Sequence, residues 1–225
     1  MAKDQAGGGK GGAGKGGKGE KSGHGKKGDA GPVVPPTGVP RLKKMYDEAV
    51  RAQLAEKFGL SNPMSHPRLE KITINVNMGR HLDGGKLPAN IKQAVTNTLT
   101  AISAQKPILI QSKKSVSNFK LRAGMDSASM VTMRRQRMWH FLDRFVHLAT
   151  PRIKDFRGLS AKAFDRQGNY SVGLNEQGVF PEINMAEVDF THGMNINFVF
   201  SNSTPELSRF VLEQLGMPFE KAEDK

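Results

Sequence analysis

The chain has 225 residues, 37% of them hydrophobic and 24% charged, and its 34 Lys and Arg against 21 Asp and Glu give a net charge of +13. That length suits one domain with a sizeable core behind an N-terminal tail, and the charge calls for a polyanionic partner, most often nucleic acid. The absence of Cys excludes disulfides, thiolate metal sites and Cys nucleophiles and fits a reducing cytosol, while no apolar run reaches the roughly 18 residues of a membrane span.

Residues 1–31 contain no Val, Ile, Leu, Phe, Tyr or Trp, so they cannot bury enough surface to offset their ordering entropy. With Pro32, Pro35, Pro36 and Pro40 behind them, residues 1–40 are expected to be a disordered, basic, Gly/Lys/Pro-rich tail. Residues 41–225 are expected to be a single domain. Leu42, Met45, Ala49, Leu54 and Phe58 repeat at helical spacing, with Gly59 as a left-handed stop. In the following strand Ile72, Ile74, Val76 and Met78 face one way, and Lys71, Thr73, Asn75 and Asn77 the other. Asn is depleted in strands. Two on one face read either as a plain solvent-facing strand or as amides for ribose hydroxyls and minor-groove edges, and the net charge favours RNA.

Leu87, Ile91, Val95, Leu99 and Ile102 form a second helix with Pro88 in its first turn. Short strands are then expected. Ile108 and Ile110 alternate with Leu109 and Gln111, Phe119 and Leu121 with Asn118, Lys120 and Arg122, and Val131 and Met133 with Thr132 and Arg134. Each would pack an apolar face on helices and leave a polar, mostly basic face open. Base stacking is expected to be minor, with two Tyr and one Trp in the chain and Phe119 on an apolar face. Between Ser112 and Arg144 the cations Lys113, Lys114, Lys120, Arg122, Arg134, Arg135, Arg137 and Arg144 meet only Asp126 and Asp143. Such an imbalance marks the phosphate-facing region. A third helix carries Met138, Phe141, Leu142, Phe145 and Leu148, and Pro151 should end it by removing a donor and biasing Thr150 away from helical angles.

Thr150 to Ile183 reads as one long ordered loop, punctuated by Gly158, Gly168, Gly173 and Gly178 and pinned by Ile153, Phe156, Leu159, Phe164 and Tyr170. Its carboxylates Asp155, Asp165, Glu176 and Glu182 are expected to form local ion pairs with the loop's cations, with a metal-dependent nuclease site as the alternative. Met194, Ile196, Phe198 and Phe200 make a last strand with Asn195 and Asn197 on its other face. Thr204-Pro205-Glu206 caps a final helix over Leu207, Phe210, Val211 and Leu215. No P-loop, nucleophile elbow or metal-ligand spacing is present. The fold class expected is α+β, an antiparallel or mixed sheet with helices on one face and a polar-basic RNA-binding face on the other.

The segments DFRGLSAKAFD, GNYSVGLNEQ and FPEI within that loop resemble the signature of the family of large-subunit ribosomal protein number five, the universal binder of 5S rRNA. The likeness runs from about Leu42 to Phe219. It departs from the bacterial pattern at Arg166-Gln167 and at Gly124-Met125-Asp126-Ser127-Ala128, both placed in loops. The resemblance implies a cytoplasmic ribosomal constituent, not an enzyme and without cofactor or metal, that docks 5S rRNA and large-subunit rRNA in the central protuberance beside neighbouring large-subunit proteins. Its RNA-binding pattern matches Asn75, Gln105, Lys113, Lys114, Ser115, Asn118, Lys120, Arg122 and Thr132, and Arg134 joins them from the basic stretch. Contact with the P-site tRNA would fall on the loop Ala123, Gly124, Met125 and Asp126. A bridge to a protein of the small-subunit head would fall on Arg152, Lys154, Arg157, Lys162 and Arg166. A free-standing RNA-binding or chaperone module remains the other binding class.

Overall fold

The alternation of apolar and polar residues in β1 (Arg68–Asn77) buries one face of that strand, which is the central one of a five-stranded sheet. In the computed structural model, which describes residues 38–81, 87–188 and 190–220 apart from the side chains of Arg80 and Glu187, Ile72, Ile74 and Val76 are fully buried. The expected tail lies outside the described residues as far as residue 37.

Four further strands complete the sheet: β2 (Ile108–Gln111), β3 (Asp126–Met133), β4 (Tyr170–Leu174) and β5 (Met194–Ser201). Their order is β2-β3-β1-β5-β4, and every pairing is antiparallel. One face carries the core, where Ile74 sits between Val131 and Ile196 in register. Against it pack α1 (residues 41–58), α2 (Ala89–Ser103), α3 (residues 135–149) and α4 (Pro205–Gln214). The other face has no helix over it among the described residues. The fold is therefore α+β with an antiparallel sheet.

Two helices differ from their expected stripes for one reason. In α1, Arg41–Met45 and Arg51–Phe58 are α-helical, but Tyr46–Val50 between them is a π-helix. Bonding from i to i+5 puts more residues in that turn, so positions four apart line up. Leu42, Tyr46, Val50 and Leu54 are buried, and Ala49, expected inside, is exposed. In α3, Arg135–Arg144 runs into a π-helix at Phe145–Ala149. Val146 and Ala149 take the buried positions, and Leu148 is turned out at 49% exposure. Pro151 does not stop this helix at once. Thr150 stays helical (φ −55°, ψ −44°), and a 3₁₀ turn at Thr150–Arg152 accepts Pro in its first residues, where no donor is needed.

Three strand expectations are corrected. Ile108 and Ile110 do not face the helices. Ile108 is 67% exposed, whereas Leu109 packs on the core and pairs with buried Ser129. Asn118 to Arg122 is not a strand, since Ser117–Phe119 is a 3₁₀ turn and Lys120 is left-handed (φ 51°). The long segment is not wholly loop, because Tyr170–Leu174 is the edge strand β4. What remains of it is ordered, as expected. Phe164 packs on Tyr170 at 4.6 Å between ring centroids, and the Tyr170 hydroxyl donates to the Ser160 carbonyl at 3.1 Å. Leu159 bridges in parallel to Phe219, and Gly158 (φ +124°) lets the chains touch there, because a Cβ would lie 2.6 Å from the Glu220 nitrogen.

Candidate nucleic-acid interface

Strand register lays out the open face in rows. One row runs from Gly173 on β4 through Asn195, Asn75 and Met130 to Ile108 on β2. The next holds Ser171, Asn197, Thr73 and Thr132. The β4–β5–β1 side is thus a surface of amides and hydroxyls that both donate and accept. Towards β2 the face turns apolar with Met130, Ile108 and Ile110. Asn75 sits at the centre, and its Oδ1 is shielded from solvent without a hydrogen-bond partner. An unanswered acceptor of that kind costs about 1–3 kcal/mol, so Asn75 is held on the central strand at the expense of stability.

From the β2 edge a finger of chain reaches into solvent. Its base is closed by Ser112 N–H to Met125 O (2.8 Å) and Gly124 N–H to Ser112 O (2.9 Å), and its stem by the reciprocal bonds of Val116 and Leu121. The Ser115 hydroxyl accepts from Ala123 N–H at 3.0 Å, and so holds the finger together. Lys113, Lys114, Asn118, Lys120, Arg122 and Phe119 are all exposed. None of these four cations is ion-paired among the described residues, which is the state expected of groups awaiting phosphate. Phe119, expected on an apolar face, is 74% exposed beside them. A stacking surface is therefore present after all. Sequence alternation hid it, because the 3₁₀ turn breaks the period of two.

Other expected site residues fall into different settings. Gln105 follows α2 and, with its amide set by its neighbours, donates to Thr132 O at 3.1 Å and accepts from Arg137 Nη1 at 3.0 Å. It ties the end of β3 to the start of α3, where Arg134 is exposed. Ala123, Gly124 and Met125 form the return turn of the finger, with Gly124 at φ +81°. Asp126, placed with them as loop, opens β3 instead, and Ser127 and Ala128 follow it in the strand. Its carboxylate meets Lys92 Nζ of α2 at 2.5 Å, and that hydrogen bond is the leading cause holding its pKa below the usual carboxylate value.

Arg152, Lys154, Arg157, Lys162 and Arg166 are exposed on the far side, around the β4 edge. The local ion pairs expected for this segment do not form among the described residues. Asp165 instead accepts N–H groups of Gln167 (2.9 Å) and Asn169 (2.6 Å) and the Asn169 amide (2.7 Å), building a turn. Glu182 pairs with Arg144 of α3. Sequence reading also missed Gln177. It is fully buried, donates to Phe190 O at 2.8 Å and accepts from His192 N–H at 2.6 Å, which fixes the chain entering β5. No short motif marks such a residue.

Comparison with known proteins matches the family described as Ribosomal protein L5 over residues 62–122, and the C-terminal region of the same ribosomal family over residues 126–219. The chain is 46% identical over 180 residues to the large ribosomal subunit protein uL5 of Anaeromyxobacter sp. (strain K), covering 80% of this chain and 97% of that protein. It is 46% identical over 179 residues to uL5 of Geobacter sulfurreducens, covering 80% and 98%. With uL5 of Rhodopirellula baltica it shares 45% identity over 189 residues, covering 84% and 94%.

Proposed function

Since the chain belongs to the ribosomal protein L5 family, and is thus a structural constituent of the large subunit of the cytoplasmic ribosome and not an enzyme, we propose that it binds 5S rRNA with the open face of its sheet. The reading rests above all on the juxtaposition of the amide rows of β1 and β5 with a finger of unpaired cations. Amides suit ribose and minor-groove edges, while the cations take the flanking phosphates. In this reading the return turn of the finger, Ala123, Gly124 and Met125, reaches the P-site tRNA. Asp126 takes no direct part, because it is spent on Lys92. The exposed cations Arg152, Lys154, Arg157, Lys162 and Arg166 form a small polar bridge to a protein of the small-subunit head.

A salt series of 5S rRNA binding tests the first part. Replacing Lys113, Lys114, Lys120 and Arg122 by Ala should lower the salt slope by up to about 3.6 units, at roughly 0.9 per duplex phosphate contact. An unchanged slope would remove the finger from the interface. For the bridge, Arg152→Glu or Arg157→Glu should spare 5S rRNA binding and weaken association of the two subunits at limiting Mg²⁺; the opposite pattern would move that segment to the RNA side. The nuclease alternative loses two of its four carboxylates, because Asp165 is committed to a turn and Glu182 to Arg144, and no group of three His, Cys, Asp or Glu that could hold a metal forms among the described residues.

A further inference from the structure

One edge of the sheet is β4, and part of that edge is open. Ser171 gives its N–H to the Ala163 carbonyl at 3.2 Å instead of to β5, so its backbone groups point away from the sheet. Backbone direction alternates from residue to residue in an antiparallel strand, so the N–H and C=O of Gly173 point the same way. Gly173 is exposed, and neither group has a partner among the described residues. The chain at residues 163–165 covers the edge only as far as the Ser171 N–H. Beside the open part lies a groove of about 610 Å³ between β4 and residues 153–160. Much of its lining is apolar, and Ile153, Phe156, Val172 and Val179 in it are only half-buried. Packing does not demand a glycine at position 173. Its φ is not positive, and a Cβ there would come no closer than 3.4 Å, to Asn195 Oδ1. Glycine inside a strand is a mark of sites where another backbone approaches.

We propose that this edge takes an extended segment of a neighbouring large-subunit protein as an added strand, apolar at alternate positions and acidic at its ends. Backbone chemistry argues for a peptide. The N–H and C=O of Gly173, with the Ser171 C=O two residues before, are answered together by another strand, whose alternate side chains then meet the apolar lining. Charge sets its ends. Arg152, Lys154, Arg157, Lys162 and Arg166 stand exposed around the β4 edge, against Asp155 and Glu176 in the groove. That surplus attracts Asp and Glu. It also opposes pairing with a second copy of this chain, which would bring the same cations. The proposal goes beyond the bridging reading of those cations, because the backbone edge and the apolar lining carry it. A strand held by main-chain bonds over an apolar surface is a lasting contact, unlike a small polar bridge. The lasting neighbours of this chain lie in its own subunit.

Hydrogen exchange at the Gly173 N–H, compared between the free chain, isolated large subunits and whole ribosomes, tests the proposal. Exchange should be fast in the free chain and about tenfold or more slower already in isolated large subunits. A photoreactive benzophenone in place of the Lys154 side chain should there cross-link to an acidic, extended segment of another protein. Gly173→Pro removes the outward N–H and leaves the β5 bonds, and it should abolish that cross-link. A peptide probe needs no change to the protein. The free chain should bind acetyl-Asp-Glu-Val-Thr-Val-Thr-Val-Glu-Asp and bind its Lys-ended counterpart about tenfold more weakly. Methylating the backbone nitrogens of its Val residues or of its Thr residues should have unequal effects, because only one set faces β4. Fast exchange at Gly173 in large subunits overturns the proposal, as do equal effects of the two methylations or no binding of the acidic peptide. Protection that appears only in whole ribosomes overturns it by giving the edge to the small subunit. Cross-linking to rRNA gives the edge to RNA, and a free-chain dimer protected at Gly173 gives it to a second copy; either result overturns it. The bridging reading fails separately, on normal subunit association with Arg152→Glu.

Discussion

Adjacent residues of β1 should separate folding from binding when each is cut to Ala. Ile74 is fully buried, and its register partners Val131 and Ile196 are 3% and 0% exposed. Ile74→Ala removes three carbons, a transfer loss of roughly 2.4 kcal/mol at about 0.8 per methylene. Strands on both sides prevent collapse around the gap, so a cavity term should raise the cost to about 3–4 kcal/mol, within the usual range for such changes. In a domain of this size that is a fall in Tm of roughly 6–16 °C. Asn75→Ala deletes a half-buried side chain whose Oδ1 satisfies nothing in the free protein. The free protein should be no less stable and up to about 1–3 kcal/mol more so, because an unanswered buried acceptor is removed and no hydrogen bond to Oδ1 is lost. Its cost should appear in RNA affinity, at about tenfold or more. Urea melts and 5S rRNA titrations on both variants provide the measurement. Equal destabilisation by the two changes would mean that β1 is buried on both faces, and the assignment of the open face would be wrong.

Gly158→Ala should destabilise the chain by more than about 2 kcal/mol and loosen the segment around Phe219, because the new Cβ would strike the Glu220 backbone at a φ of +124°; hydrogen exchange at Glu220 N–H reports it, and native-like protection would refute the close approach. Burial pushes the Tyr170 phenol up to about 12. The unfolded chain therefore loses this proton first, so stability is full below about pH 10 and falls as pH rises from there towards 12. Tyr170→Phe should flatten that alkaline limb of the stability profile, and an unchanged limb would place its cause elsewhere.

Local periodicity was enough to locate β1, β5, α2 and α4, since strict alternation over β1 leaves one way to bury Ile72, Ile74 and Val76. It also revealed the amide face, because Asn75, Asn77, Asn195 and Asn197 are fixed once their neighbours go inside. The unbalanced cations from Lys113 to Arg144 were legible as charge alone. Pairing and packing decided the rest. Ile108 and Leu109 are both apolar, so only the register of β2 on β3 could say which faces the core. Ala49 and Leu148 lost their expected places to π-helical turns, which no 3.6-residue period anticipates. Tyr170–Leu174 reads as loop because Ser171 and Gly173 lack strand propensity, and pairing with β5 makes it a strand. A cavity beside β5 joins His81, His192 and Asn75, which lie far apart in sequence. They meet only because β1 and β5 pair side by side, a relation set by the closed core and invisible along the chain.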